Sequence, residues 1–333
     1  MERERLAKAV PYLLTWYRLS KRDLPWRKDK DPYHVWVSEI MLQQTRVEAV
    51  KGYYVRFLEK FPTVSALAAA PEDEVLKAWE GLGYYSRARN LHRAAKLIAA
   101  AGAFPETFDG VRTLPGVGDY TAGAICSIAY DLPCPAVDGN VLRVLTRLLA
   151  DPSPIGEVAT KSHFCEALRA VYPPEAGDFA QALMELGALV CLPNGAPLCG
   201  QCPWRELCLA HAAGKEEQYP VRAEKKAREK IPVSVYVLQC GGEFALERRG
   251  DKGLLAGLWQ FPLIEGKDEQ PVRGEILAQK RAVHIFTHKE WHMTGYLVRV
   301  PEKSQDFVWA TAEEIGRKYA LPSALKAFFE WLK

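Results

Sequence analysis

The chain has 333 residues, 48% hydrophobic and 26% charged, which is enough for two ordinary domains and for a sizeable core in each. Its start, MERERLAKAV, lacks an apolar signal core and no apolar run reaches membrane-spanning length, so the expectation is a cytoplasmic protein without a membrane anchor. Net charge is only +3: residues 1–214 carry 24 basic and 24 acidic side chains, residues 215–231 six and four, and residues 232–333 fourteen and thirteen. Any nucleic-acid partner must therefore meet locally clustered cations, because the bulk balance supplies no field.

In chain order, the first long pattern is VWVSEIMLQQTRVEAVKGYYVRFLEKF, whose apolar residues recur every three to four positions and predict amphipathic helix. Within it, Glu39 is surrounded by Trp36, Val37, Ile40, Met41 and Leu42. Burial there would raise its pKa and hold it protonated near neutrality, as a general acid requires; the alternative is a hydrogen-bonded core glutamate. DEVLKAWEGL reads as helix, and so does YYSRARNLHRAAKLIAAA, which starts at Tyr84 and Tyr85 and carries Arg87, Arg89, His92, Arg93 and Lys96. Aromatics beside cations suit a DNA surface, and equally a solvated helix face.

Leu114-Pro-Gly-Val-Gly118 then precedes the helix TAGAICSIAY. Gly116 and Gly118 permit a tight turn, and the N–H groups opening the next helix make an anion site suited to phosphate. Asp138 heads a further helix in VDGNVLRV, where an N-cap is the plain reading and an anion beside a helix N-terminus the functional one. Paired with a protonated Glu39, it would complete the two-carboxylate pattern that breaks glycosidic bonds. Helix is also expected around FAQALMELGALV.

Four cysteines follow at Cys191-x7-Cys199-x2-Cys202-x5-Cys208. In a cytosolic chain such a cluster points to metal, either zinc or an iron–sulfur cluster. Cys126, Cys134, Cys165 and Cys240 stand singly and read as small core residues. Residues 215–231 are polar and charged and read as a linker. Beyond them PVSVYVLQC, EFALERR, LWQFPL, RAVHIFTH and WHMTGYLVRV predict strands, and SALKAFFEWLK a closing helix. The expected architecture is an all-α domain over 1–214 followed by an α+β domain over 232–333.

The order SEIMLQQT, GLGYYSRARNL, LPGVGDYTAGAI, VDGNVLRV and the cysteine loop resembles the helix–hairpin–helix glycosylase superfamily. Within it, these motifs look like those of MutY-type adenine DNA glycosylases. The resemblance implies a helical catalytic domain with one 4Fe–4S cluster on Cys191, Cys199, Cys202 and Cys208, and a Nudix-like domain that reads the lesion. It implies a monomer acting on double-stranded DNA carrying adenine opposite 8-oxoguanine or, less well, opposite guanine. Glu39 matches the acid that protonates adenine, Asp138 the carboxylate that stabilises an oxocarbenium-like sugar, and Asn140 its polar support. Tyr120 stands where bifunctional relatives resembling endonuclease III have a Schiff-base lysine, so the implied chemistry is base excision by water. Trp26, Arg27, Leu42 and Gln181 match the adenine pocket. Gln43, Gln44, Thr45, Leu82 and Tyr84 match the part that meets the opposite strand, with Tyr84 as wedge beside Arg87.

GLLAGLWQFPLIEG resembles a Nudix entry, but the acidic magnesium-binding helix is missing, which disfavours pyrophosphohydrolase activity. Phe286-Thr287-His288 matches the lesion-sensing loop, with threonine where serine is usual. The first cysteine gap is seven residues where six is usual. A glycosylase for oxidised pyrimidines would want a lysine at 120, and a non-catalytic damage sensor would bind DNA and release no base.

Overall fold

In the computed structural model, which describes residues 2–222, 227–266 and 274–333, helices run to residue 212 and a sheet begins at residue 229. The helices are α1 (Glu2–Ser20), α2 (Pro32–Leu42), α3 (Val47–Lys60), α4 (Val64–Ala69), α5 (Glu72–Ala78), α6 (Ser86–Ala101), α7 (Phe108–Arg112), α8 (Asp119–Tyr130), α9 (Gly139–Leu149), α10 (Val158–Arg169), α11 (Ala176–Leu189) and α12 (Leu209–Ala212). The chain divides into two compact units, Met1–Ser65 with Arg93–Glu224, and Ala66–His92 with Lys225–Lys333. Among the described residues no helix is long and apolar enough to cross a membrane.

In the first unit, α1, α9, α10 and α11 enclose a core through Leu13, Leu145, Phe164 and Leu186, all at most 0–1% exposed. Helix α9 is buried from Val141 to Leu148, Arg143 and Arg147 included. Helices α7 and α8 form a hairpin whose turn passes through Gly116 at φ +78°, a left-handed conformation that glycine adopts without strain. Gly118 caps α8 with extended backbone. The continuous helix expected from residue 35 to 61 is broken: α2 ends at Leu42 and α3 starts at Val47, with Gln44 left-handed at φ 57°.

The second unit is a mixed sheet. Its strands are β1 (Glu229–Cys240), β2 (Glu243–Arg248), β3 (Trp259–Gln260), β4 (Leu263–Glu265), β5 (Glu275–Ile285), β6 (Lys289–Arg299) and β7 (Val308–Thr311). The order is β3-β2-β1-β6-β5, with β4 on β1 and β7 on β2. Among the described residues only β1 and β6 run parallel, with Val235 opposite Gly295. A Cβ at Gly295 would lie 2.2 Å from the Phe328 ring, so glycine is what lets the C-terminal 3₁₀ helix (Ser323–Leu332) seat on the sheet. Helix α13 (Ala312–Lys318) opens with a capping box between Thr311 and Glu314.

Sequence patterning assigned residues 66–92 to the helical domain, yet they pack with the sheet. Lys77 Nζ donates to Tyr319 O at 3.0 Å, Glu80 Oε1 accepts from the Leu321 N–H at 3.0 Å, and Arg89 donates to Ala256 O. Helix α6 begins only at Ser86, because Tyr84 is left-handed at φ 48°. β7 was not visible in the sequence. Of residues 215–231, Arg147 donates to the carbonyl oxygens of Glu216 and Tyr219, Ile155 N–H donates to Val221 O, and β1 starts at Glu229; residues 223–226 lie outside the described part.

Candidate active site and cysteine centre

Two helices of the first unit present complementary faces to a cavity of ≈ 250 Å³. From α2 come Val35, Ser38, Glu39 and Leu42, and from α11 come Gln181, Met184, Glu185 and Ala188. Both sets follow the spacing that lines up one side of a helix. Trp26, Arg27, Thr45, Tyr120, Asp138 and Asn140 are also part of the wall. Expected catalytic and adenine-pocket residues thus meet in one place.

Glu39 is 5% exposed. Burial pushes its carboxyl up to about 7, against the lowering effect of a hydrogen bond with Tyr120, while the charge of Asp138 raises it further and Arg27 lowers it. Tyr120 is pushed well above its ordinary range, first by burial and then by the two carboxylates; its hydroxyl also approaches Met184 Sδ at 3.7 Å. Asp138 is in a different setting. It N-caps α9, accepting from the Asn140 N–H at 2.9 Å, the Val141 N–H at 2.8 Å and Asn140 Nδ2 at 2.9 Å. Three donors at a helix N-terminus suit an anion. The N-cap reading and the functional reading of Asp138 therefore describe one geometry.

The cavity wall also holds a residue that sequence reading missed. Glu185, 1% exposed, accepts from Arg22 Nη2 at 2.5 Å and Arg27 Nη2 at 3.0 Å. Burial alone would raise its carboxyl, but Arg22 and Arg27 bring it below the ordinary value. Arg27 also donates through Nε to Gln181 Oε1 at 2.9 Å, so Glu185 orients both pocket residues. The line of 181, 184, 185 and 188 on one predicted helix was the available signal. Gln43 is turned inward, donating to Thr121 Oγ1 at 3.2 Å.

Cys191, Cys199, Cys202 and Cys208 line a single small cavity of ≈ 30 Å³ with Arg147, Trp204, His211 and Glu216. Burial pushes Cys199 up to about 11 and Cys202 up to about 12, with neighbouring thiols adding to both, and Cys208 is raised as well. Burial and the charge of neighbouring thiols both disfavour the thiolates, and a cation bound among them reverses that. Arg147, 4% exposed, donates through Nη1 to Cys191 Sγ at 3.3 Å, and Glu216 Oε1 sits 2.5 Å from His211 Nδ1 and 3.7 Å from Cys199 Sγ. One donor each from Cys199, His211 and Glu216 fall within 4.8 Å of one another, so the rim adds nitrogen and oxygen to the sulfur set. Of the single cysteines, Cys126 is buried and hydrogen-bonds Cys134; the other three are half-buried.

In the second unit, Leu82, Tyr84, Arg87, Phe286, Thr287 and His288 belong to one body. Arg87 corrects the expectation of an exposed cation. It is 8% exposed and donates through Nη2 to Leu82 O at 3.0 Å and Gly83 O at 3.1 Å, so it holds the turn and does not face a phosphate. Leu82 is buried too, and Tyr84, Thr287 and His288 are exposed.

A family model described as HhH-GPD superfamily base excision DNA repair protein matches residues 37–170, and a NUDIX domain model matches residues 233–331. The adenine DNA glycosylase of Arabidopsis thaliana is 38% identical over 82% of this chain, which spans about half of that protein, 49%. The adenine DNA glycosylase of Rattus norvegicus is 35% identical over 95% of this chain and 76% of its own length. Among solved structures, a thermostable thymine-DNA glycosylase superposes with a TM-score of 0.55 at 27% identity, over 64% of this chain and 97% of its own.

Proposed function

We propose the reaction from one premise: this chain belongs to the adenine DNA glycosylase family, within the HhH-GPD superfamily of base-excision DNA repair proteins. It is a DNA glycosylase. The specific substrate is adenine mispaired with 8-oxoguanine and, less well, with guanine, in double-stranded DNA bound by a monomer. The observation that carries this reading is the pair of carboxyls on one cavity: Glu39, raised by burial to about 7, and Asp138, facing three donors at a helix N-terminus. The protonated Glu39 transfers its proton to a ring nitrogen of the flipped adenine, which makes the base a neutral leaving group. Asp138, held by Asn140, stabilises the positive charge that develops on the sugar until water adds. Tyr120 has no amine for an imine with the sugar, so strand cleavage is not part of the reaction.

Trp26, Arg27, Leu42 and Gln181 hold the adenine. Gln43, Gln44, Thr45, Leu82, Tyr84, Phe286, Thr287 and His288 meet the opposite strand, and the hairpin at Gly116 and Gly118 takes a phosphate. Residues 1–214 carry the catalysis, 215–231 join, and 232–333 recognise the lesion, with residues 66–92 contributed to that second unit. Four cysteines lining one cavity suit a 4Fe–4S cluster, which would fold the 191–208 loop around itself. Iron and sulfide in equal amounts, with no zinc, test that assignment.

Single-turnover base release tests the whole reading, using duplexes with adenine opposite 8-oxoguanine, guanine and thymine, read with and without alkali. Fast, slower and no release respectively, with strand breaks only after alkali, is expected. Tight binding with no release from any duplex overturns it.

A further inference from the structure

Helices α8 and α11 of the first unit approach closely at one end: a Cβ on Gly177 would lie 2.9 Å from Ser127 O. From Gly177 forward to Met184, and from Ser127 back to Tyr120, is in each case seven residues, or two helical turns. The close approach at one end therefore brings Met184 opposite Tyr120 at the other. There the Tyr120 hydroxyl lies 3.7 Å from Met184 Sδ, on the wall of the cavity that also holds Glu39. The same hydroxyl is hydrogen-bonded with the Glu39 carboxyl. Tyr120 and Met184 are both half-buried.

A thioether has no proton to give, so in the contact with Met184 the phenol is the donor. A phenol has only one proton. With that proton directed at Sδ, the phenol oxygen is left to accept from Glu39, and a carboxyl donates only in its acid form. Once ionised, Glu39 accepts instead; the phenol turns to it and the sulfur loses its donor. The contact with sulfur thus goes with one protonation state of Glu39 and not with the other. Resting on the function proposed above, we propose that Met184 is a positioning residue for the general acid. It takes the Tyr120 proton, and the phenol oxygen then holds the Glu39 proton until the flipped adenine arrives. The charges facing Glu39 are those of Arg27 and Asp138, and Arg22, Arg46 and Glu185 line the same cavity. Those groups act on Glu39 through space, whereas the sulfur reaches it only through the phenol.

The test is single-turnover adenine release opposite 8-oxoguanine at saturating enzyme, followed across pH for the full chain, Met184→Leu, Tyr120→Phe and the double variant. Leucine fills nearly the same volume and removes the acceptor, and thermal melting reads any loss of packing separately from the pH profile. Without the sulfur, the phenol proton is left to the Glu39 carboxylate and favours the ionised form, so the descending limb is expected to move to lower pH. The ratio of the rate at pH 8 to the rate at pH 6 is expected to fall about two- to threefold, the worth of one weak hydrogen bond. The double variant is expected to keep the limb of Tyr120→Phe, because the sulfur has no other route to Glu39. A limb that stays in place or moves up in Met184→Leu overturns the inference and leaves the function standing. So does a downward shift of the same size when the phenol is absent, which would make Met184 a packing residue. A wild-type chain that releases no adenine from this duplex overturns the function on which the inference rests.

Discussion

Arg143 donates through Nη2 to Asn140 Oδ1 at 3.0 Å, and so fixes the amide whose other end donates to Asp138. The same guanidinium donates through Nε to Cys191 O at 2.9 Å. Asp138 and the cysteine loop are thus joined by a short chain of hydrogen bonds through one turn of α9. Arg143 is 2% exposed, so its removal leaves buried acceptors unpaired, about 1–3 kcal/mol each. Arg143→Ala is expected to lower the melting temperature and the single-turnover rate together. Asn140→Ala is expected to lower the rate about tenfold, at nearly unchanged stability. Equal rates for wild type and Asn140→Ala would show that Asp138 needs no side-chain support.

Glu39 gives a prediction with two opposite signs. In the proposed reaction its acid form gives the proton, so the single-turnover rate is expected to fall as pH rises through about 7. Glu39→Gln is expected to lower the rate about 10²- to 10⁴-fold. The same substitution moves stability the other way. The folded chain holds a proton on Glu39 that the unfolded chain releases near 4.5, so the wild type loses stability progressively from that pH up to about 7. Glutamine escapes the loss. Thermal melting at pH 8 is expected to favour Glu39→Gln by a difference on the order of 3 kcal/mol, and melting at pH 4 to show none.

Tyr120 tunes that limb. Its hydrogen bond lowers the Glu39 carboxyl against the dominant effect of burial. Tyr120→Phe keeps the burial and removes the bond, so the descending limb of the pH–rate profile is expected to move to higher pH. A limb that stays in place, or moves down, would mean that the tyrosine hydroxyl does not face the carboxyl during the reaction.

How much of this was legible in sequence depends on the type of signal. Glu39, Asp138 and the cysteines stand out in sequence because each proposed chemistry needs a residue type in a recognisable surrounding: a carboxyl among apolar residues, an acid before a helix, thiols at short spacing. The two-part architecture followed from the change in periodicity after residue 215. Left-handed residues were not found. Gln44 and Tyr84 interrupt runs whose apolar period continues unbroken, and neither is a glycine. Arg87 reads as a surface cation by composition and is instead consumed by two turn carbonyls, which only the path of the turn decides. The membership of residues 66–92 in the sheet unit was invisible because it rests on side chain-to-backbone bonds such as Glu80 with Leu321, which leave no pattern.

Arg147 carries the prediction for the cysteine centre. It is buried, donates to Cys191 Sγ at 3.3 Å and to Leu192 O at 2.9 Å, and its own carbonyl accepts from Cys208 Sγ at 3.2 Å. A donor to a ligating sulfur withdraws charge from it and favours the reduced form of whatever metal it holds. Arg147→Met keeps the length and much of the packing and removes the donor. Metal content is expected to drop on dialysis against chelator faster than in wild type, and the reduction potential of the loaded protein to move to a more negative value. Cys202→Ser is the contrast: loss of a sulfur ligand is expected to abolish metal retention outright. Unchanged potential and retention in Arg147→Met would confine this arginine to holding residues 216–219 against α9.

Glu185 gives the last test, because it touches no reacting atom in the proposed chemistry and yet orients the pocket. Glu185→Ala leaves Arg22 and Arg27 without their common anion, and breaking a buried ion pair from one side costs about 3–5 kcal/mol. Glu185→Gln keeps the size and one acceptor oxygen and removes the charge. Arg27 then loses its main restraint while its bond to Gln181 at 2.9 Å persists. The expected kinetic signature of Glu185→Gln is weaker productive binding of the flipped base, seen as a lower single-turnover rate at limiting enzyme that recovers at saturating enzyme. A rate that stays depressed at saturation would place Glu185 in the chemical step itself, acting on Glu39 through the charge of Arg27, and would be accompanied by a shift in the pH limb that the binding role does not produce.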